Sequence, residues 1–188
     1  MTKILYQGHA SLRITADGGQ TIYIDPFAGG GYGAPADLVL ITHSHFDHND
    51  LTLVKLKPGG KIIRAQDALQ NGEHQTFDLG WCRVKAVPAA NQNHKITECV
   101  GYIVILGSVK IYAAGDTSYL DSMKDLANEY LDYAFLPCDG VYNMNSDEAA
   151  KCARAIRAKH NVPYHTIPPT ETDRALRLRQ GRGLAGAE

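Results

Sequence analysis

Apolar positions recur in short runs along most of the chain, and their period predicts the elements. Residues 4–6, 11–15 and 21–25 are short apolar or alternating stretches that predict strands, with Asp17-Gly18-Gly19 as the turn joining the last two. Residues 36–42 form an almost unbroken apolar run, as expected of a strand buried on both faces. Further strands are predicted over 61–64, 75–79, 82–87, 100–106, 109–113, 133–136 and 162–164, with a hairpin across Gly107-Ser108. Helical spacing appears instead over 50–56, where Pro58-Gly59-Gly60 stops it, and over 66–70, 121–130 and 146–159. The last of these is the clearest. Ser146 stands where a cap is needed, Asp147 and Glu148 occupy the first turn where negative charge suits the helix dipole, and Ala149, Cys152, Ala153 and Ile156 form one apolar stripe. The glycine-rich stretch 27–35 reads as a flexible surface loop. Strands grouped and then punctuated by helices, twice over, predict an α/β fold: a sandwich of sheets with helices outside.

Composition narrows the picture without changing it. A chain of 188 residues with 44% hydrophobic and 21% charged positions suits one soluble globular domain. That domain is expected over residues 1–169. Residues 170–188 carry four of the nine arginines among Gly and Ala, with no aromatic residue, and predict a poorly packed tail. The net charge of −1 sets up no field favouring nucleic acid or an anionic membrane, so nucleic acid is not the expected partner. No apolar run approaches the roughly 20 residues needed to span a bilayer, and the chain opens without a signal-peptide layout. Cys82, Cys99, Cys138 and Cys152 are widely spaced and form no CxxC pair; they read as reduced thiols of a cytoplasmic protein. Neither a GxSxG elbow nor a GxxxxGK[ST] loop is present, so serine-nucleophile and P-loop chemistry lack support.

The chemistry is concentrated in His43-Ser44-His45-Phe46-Asp47-His48, directly after the buried run. Side chains two apart on an extended segment share one side, so His43 and His45 can grip one ion together. A turn at Phe46-Asp47 would let Asp47 and His48 face a second ion nearby. Imidazole and carboxylate donors suit zinc, with manganese and iron as neighbours in preference. Three more residues stand after predicted strands. Asp116 is either a carboxylate able to bridge two ions or a helix N-cap. His165 is either a ligand or an ordinary histidine at a strand end. His94 is either a ligand or a loop histidine. His9 reads either as a group touching substrate or ligand, or as a structural histidine. Asp25 reads either as an acceptor behind a metal-bound imidazole or as turn chemistry. Tyr142 is a pocket-lining candidate beside ordinary loop packing.

Taken together these motifs resemble the metallo-β-lactamase superfamily, whose mark is HxHxDH after a buried strand, a later GD element and a late histidine. More narrowly, Gly8-His9-Ala10-Ser11 and Asp25-Pro26-Phe27 are similar to the metal-dependent hydrolases related to the ascorbate-6-phosphate lactonases. The resemblance covers residues 3–168. It implies an αββα sandwich with two divalent ions at the edge of the sheets, zinc expected and manganese the alternative. His43 and His45 would hold one ion, Asp47, His48 and His165 the other, and Asp116 would bridge. The resemblance departs from the family at Ala89-Ala90-Asn91, where a third histidine is usual. Either Asn91 takes that slot, or His94 reaches in, or the ion lacks a third protein ligand; an imidazole is the better donor, which favours His94. It departs again at the Arg/Gly/Ala tail, where relatives continue with a last ordered strand.

The function expected is hydrolysis of a small ester, lactone or phosphate-bearing compound by a metal-bridging hydroxide, with Asp47 and His9 as the catalytic candidates. The alternatives are a two-metal phosphodiesterase or nuclease, and a non-catalytic metal-binding sensor on the same fold. The expected partner is a small-molecule substrate, with no membrane and with a homo-oligomer open.

Overall fold

In the computed structural model, residues 1–166 are described; the predicted tail at 170–188 lies outside them. The first sheet has the order β1-β2-β3-β4-β5, from β1 (Lys3–Gly8), β2 (Ser11–Thr15), β3 (Thr21–Ile24), β4 (Ala36–Ile41) and β5 (Leu56–Arg64). A short helix α1 (Ala65–Ala68) and a two-stranded hairpin, β6 (Leu69–Gln70) with β7 (Glu73–His74), follow. The second sheet is built from β8 (Thr76–Asp78), β9 (Arg83–Pro88), β10 (Val100–Leu106), β11 (Val109–Ala113), β12 (Tyr133–Pro137) and β13 (His160–Tyr164), with α2 (Ser146–Ile156) before the last strand. Its order is β13-β12-β11-β10-β9-β8.

The two sheets face each other across one core. Alternate residues Leu12, Ile14, Ile22, Ile24, Leu38 and Leu40 of the first sheet meet Val84, Val100, Tyr102, Val104 and Ile111 of the second. The central strands are covered on their other faces too. Tyr23, Val39 and Ile41 pack under Tyr32, Leu51 and Val54, while Ile103, Tyr112 and Leu136 pack under Met123, Leu126, Cys152 and Ile156. This is why residues 36–42 read as continuously apolar, and it gives the covered two-sheet sandwich that the chain's motifs imply, with a loop and a 3-10 turn over the first sheet and helices over the second. No helix among the described residues is long and apolar enough to cross a membrane.

Strand direction positions the site. β1, β2 and β3 run antiparallel in turn, and β3, β4 and β5 run parallel. β9, β10 and β11 alternate, then β11, β12 and β13 run parallel. In the first sheet β1, β3 and β4 therefore end at one edge; in the second, β9, β11, β12 and β13 do. The segments that follow those ends carry His9, Asp25, His43, Asp116, Asp139 and His165 within three residues of a strand end, and His94 six residues past β9. Ligands gather at such carboxyl edges of parallel strands for the same reason in open α/β sheets. The sheets are pinned there: the Val100 N–H donates to the Thr42 carbonyl at 3.0 Å and the Tyr102 hydroxyl to the Ile41 carbonyl at 3.1 Å, while within the second sheet the Gly115 N–H donates to the Tyr164 hydroxyl at 2.7 Å. Gly115 has φ +66°, and a Cβ on it would lie 2.9 Å from the Thr42 Cβ, so the turn before Asp116 requires glycine.

Several local expectations are corrected. Residues 50–56 do not form a helix; a single 3-10 turn, Leu51–Leu53, precedes β5, which runs through Pro58-Gly59-Gly60. β5 lies at the sheet edge, where a proline without an N–H and a register shift are tolerated. The predicted helix at 66–70 shortens to α1 because Leu69 and Gln70 pair with His74 and Glu73. Residues Asp121–Glu129 wind as a 3-10 helix, matching the spacing of three between the buried Met123 and Leu126. α2 is capped by Asn145, whose Oδ1 accepts the Glu148 N–H at 3.0 Å, and it ends before the left-handed Arg157. The glycine-rich loop is tied down: Gln7 Nε2 donates to the Gly30 carbonyl at 2.6 Å and the Tyr23 hydroxyl to the Ala34 carbonyl at 2.9 Å.

Candidate metal centre

The seven residues named as ligands from the sequence come together, with His9, at the shared edge. Two groups and a link between them are resolved by distance. His43, His45 and His94 offer ligand atoms within 4.8 Å of one another; so do His9, Asp47, His48 and His165; and so do His43, His48 and Asp116. Asp116 spans the groups. Its Oδ1 lies 3.2 Å from His48 Nε2 and 3.4 Å from His165 Nε2, and its Oδ2 lies 3.6 Å from His94 Nε2. It caps no helix, since the nearest helical turn starts at Asp121.

The hexapeptide divides its donors between the groups by turning. The His48 N–H donates to the His45 carbonyl at 3.1 Å, which closes a turn over Phe46-Asp47 and swings Asp47 and His48 toward the second group. The second group is the more deeply buried. The side chains of His48 and His165 are at most 1% exposed, whereas His45 is exposed. His9 Nε2 stands 3.1 Å from Asp47 Oδ2, and its ring lies 3.7 Å from that of His165. His9, Asp25 and His165 all hold φ between 45° and 50°. Non-glycine residues in that region are uncommon, and such outliers concentrate at functional sites.

Four of the rings, those of His48, His165, His94 and His43, have a polar group within 3.1 Å of the second nitrogen. His48 Nδ1 is 2.8 Å from Asp25 Oδ2, and Asp25 also accepts from the Thr42 N–H and hydroxyl. His165 Nδ1 is 3.0 Å from Asp139 Oδ2. His94 Nδ1 is 2.8 Å from Asn91 Oδ1, and His43 Nδ1 is 3.1 Å from the Thr42 hydroxyl. The inward atoms are left over: His43 Nε2, His48 Nε2, His165 Nε2 and Asp116 Oδ1 are buried without a hydrogen-bond partner. Asn91 does not enter a ligand group. Its amide faces the back of His94 and donates to Asn143 Oδ1 at 2.7 Å.

Asp139 was not anticipated from the sequence. It follows the end of β12 as Asp116 follows β11, and a search for acids just past predicted strands would have found it. Its Oδ1 accepts three backbone N–H groups, from Val141, Tyr142 and Asn143. Burial opposes ionisation of Asp139, but the His165 contact and these N–H groups outweigh it and hold its carboxyl below the usual range. For His48 burial likewise opposes charge, and the Asp116 and Asp25 carboxylates overcome it, raising its pKa well above 6.5. His43 moves the other way: burial and the neighbouring His48 charge keep it neutral. Burial also lowers His94 and His9. The centre thus offers neutral imidazoles on one side and a buried position that attracts positive charge on the other.

Imidazole and carboxylate donors, several of them orphaned, fit divalent metal binding. The family model for the beta-lactamase superfamily domain matches residues 3–165. A UPF0173 metal-dependent hydrolase of Thermococcus onnurineus is 33% identical, with 92% of this chain and 89% of that protein covered. The crystal structure of a protein described as a metal-dependent hydrolase, from Parabacteroides distasonis, superposes with a TM-score of 0.76 at 30% identity, covering 98% of this chain and 89% of that one. Igni18, a metallo hydrolase of Ignicoccus hospitalis, shares the fold with a TM-score of 0.70 at 23% identity, covering 97% and 91%. The narrower likeness to ascorbate-6-phosphate lactonases rests on the Gly8–Ser11 and Asp25–Phe27 motifs alone. By its fold, its motifs and these relatives, the chain belongs to the metallo-β-lactamase superfamily, among the UPF0173 metal-dependent hydrolases.

Proposed function

We propose that the chain holds two divalent ions, zinc expected and manganese the alternative, and hydrolyses a small ester, lactone or phosphate-bearing compound. The observation that carries this reading is the convergence of four buried atoms without partners, His43 Nε2, His48 Nε2, His165 Nε2 and Asp116 Oδ1. Each such atom costs about 1–3 kcal/mol when left unsatisfied. Cations relieve all four at once.

His43, His45 and His94 would hold one ion, Asp47, His48 and His165 the other, and Asp116 both. Such ions supply a water of lowered pKa and polarise a carbonyl or phosphoryl oxygen. The chain's own residues prepare the reaction. Burial opposes ionisation of Asp47, but the contact from His9 prevails and keeps it a carboxylate, able to orient the attacking water. His9, neutral through burial, fixes Asp47 by the 3.1 Å contact at Oδ2. Asp25, Asp139 and Asn91 hold the rings of His48, His165 and His94 in place. Four free thiols, three of them buried, support a reducing, cytoplasmic setting.

The test is a His45→Ala, Asp116→Ala double variant, followed by metal analysis and by turnover of ester, lactone and phosphate panels. We expect metal content and turnover to fall together to background. A metal-free double variant with full turnover would refute the mechanism.

A further inference from the structure

The loops that carry the ligands also carry exposed apolar side chains. Among the described residues eight large hydrophobic residues are exposed, and four of them, Phe46, Ile96, Val141 and Tyr142, sit on these loops. Phe46 is 62% exposed and lies between His45 and Asp47. Its ring stands edge-on to Phe27 at 5.8 Å, and Phe27 stands edge-on to His9 at 5.5 Å, so an aromatic row leads from the surface to the second ligand group. Ile96 follows His94 by two residues, in a turn closed by the Glu98 N–H on the Lys95 carbonyl at 2.9 Å. Val141 and Tyr142 follow Asp139, which accepts both of their N–H groups. The Tyr142 carbonyl accepts from Asn91 and Asn93, each at 3.2 Å, which sets this loop beside the His94 loop.

These side chains are exposed on backbones that hydrogen bonds hold in place. Apolar groups fixed around a polar centre are the usual build of a small-molecule pocket, and an exposed apolar patch marks a binding surface. The charges agree. Lys95 is the only lysine or arginine on residues 41–49, 89–99 and 137–145, and it pairs with Glu98 at 3.2 Å. No free lysine or arginine on those loops is placed to read a phosphate. Arg64 stands off those loops, at the end of β5, and lines a cavity of about 230 Å³ beside His43, together with Ser44 and Glu98.

We infer that Phe46, Ile96, Val141 and Tyr142 form an apolar rim that receives the aliphatic or aromatic acyl part of an ester or lactone. The inference rests on the hydrolase reading above and narrows its substrate class away from phosphate-bearing compounds. It is tested with metal-loaded protein on nitrophenyl acetate and nitrophenyl hexanoate, in the parent and in Phe46→Ala, Tyr142→Ala and Tyr142→Phe. The readout is the hexanoate-to-acetate ratio of kcat/KM. We expect the parent to favour hexanoate and the two alanine variants to lower the ratio roughly tenfold, the worth of about 55 Å² of apolar surface kept from water. Tyr142→Phe should keep the parent ratio.

Calorimetry of hexanoate against acetate binding gives the same comparison without turnover. If nothing is hydrolysed but hexanoate binds better and loses that advantage in the alanine variants, the hydrolase reading fails and the rim stands. Equal ratios in parent and alanine variants by both measurements overturn the rim. So does preferred turnover of phosphate esters that falls in Arg64→Ala. A dimer that dissociates in the alanine variants with the ratio unchanged overturns it too, in favour of an interface between copies.

Discussion

The two ligand groups are assembled from the same kinds of side chain but are supported differently. Behind His48 and His165 stand carboxylates, Asp25 at 2.8 Å and Asp139 at 3.0 Å. Behind His43 and His94 stand neutral groups, the Thr42 hydroxyl at 3.1 Å and the Asn91 amide oxygen at 2.8 Å. His45 has no support of its own; its Nδ1 lies 3.0 Å from His94 Nε2 on the exposed side. A carboxylate behind an imidazole raises its basicity and fixes its tautomer more firmly than a neutral acceptor does. Under the proposed function the second group is therefore the tight site and the first the exchangeable one. A dinuclear centre of this kind should load and empty in a defined order.

The largest effect expected from breaking the contrast is at Asp25. Asp25→Asn keeps the shape but removes the charge behind His48, and it should weaken the second ion by about 10–100-fold. Competition of the variant against a chelator of known affinity measures this. An unchanged second affinity would mean that the carboxylate support does not set the order.

The effect of pH comes next. In the metal-free chain the Asp116 and Asp25 carboxylates overcome burial and raise the His48 pKa above 6.5, so a proton competes with the second ion. The ion's affinity should fall by up to about tenfold per unit as pH drops below that raised value. Stability follows with opposite signs in the two forms. A raised folded pKa stabilises the metal-free chain fully below about 6.5, and this contribution is lost as pH rises through the folded value. Metal binding stabilises by mass action, and increasingly so at higher pH. The difference in Tm between metal-loaded and chelated protein should therefore widen from pH 6 upward. A constant difference would remove His48 from the account.

The smallest effect is expected at the neutral support. Asn91→Ala frees the back of His94 and should weaken the first ion several-fold, below the Asp25→Asn effect on the second. Cobalt titration followed by its absorption bands would resolve the two sites. A loss at the first site as large as that from Asp25→Asn would show the supports to be equivalent and end the comparison.

How much of this was readable beforehand depends on the range of the interaction. β2, β3, β4, β10 and β11 were readable because their alternation or continuous apolarity reflects which faces are covered. Leu51 and Val54 have helical spacing, yet they pack as a cover over Tyr23 and Val39 without a helix between them. The cap of α2 was displaced by one residue because Asn145 and Ser146 are both competent caps, and the loop path from Asp139 decides between them. Within the centre, His43 to His48 stood out because they are neighbours in the chain. Asp139 did not, since nothing near it in sequence marks it as a partner of His165.

The sequence by itself determined the strands, the two-sheet class and a hexapeptide able to offer ligands to two places, because those follow from local period, turn chemistry and side-chain type. Only the tertiary structure decided which distant residues meet. The common direction of β1, β3 and β4 in one sheet and of β9, β11, β12 and β13 in the other carries His9, Asp25, His94, Asp116, Asp139 and His165 to one edge. It also put Asn91 behind His94 and carboxylates behind His48 and His165. Strand pairing between segments far apart in the chain sets those distances, and no local pattern encodes them.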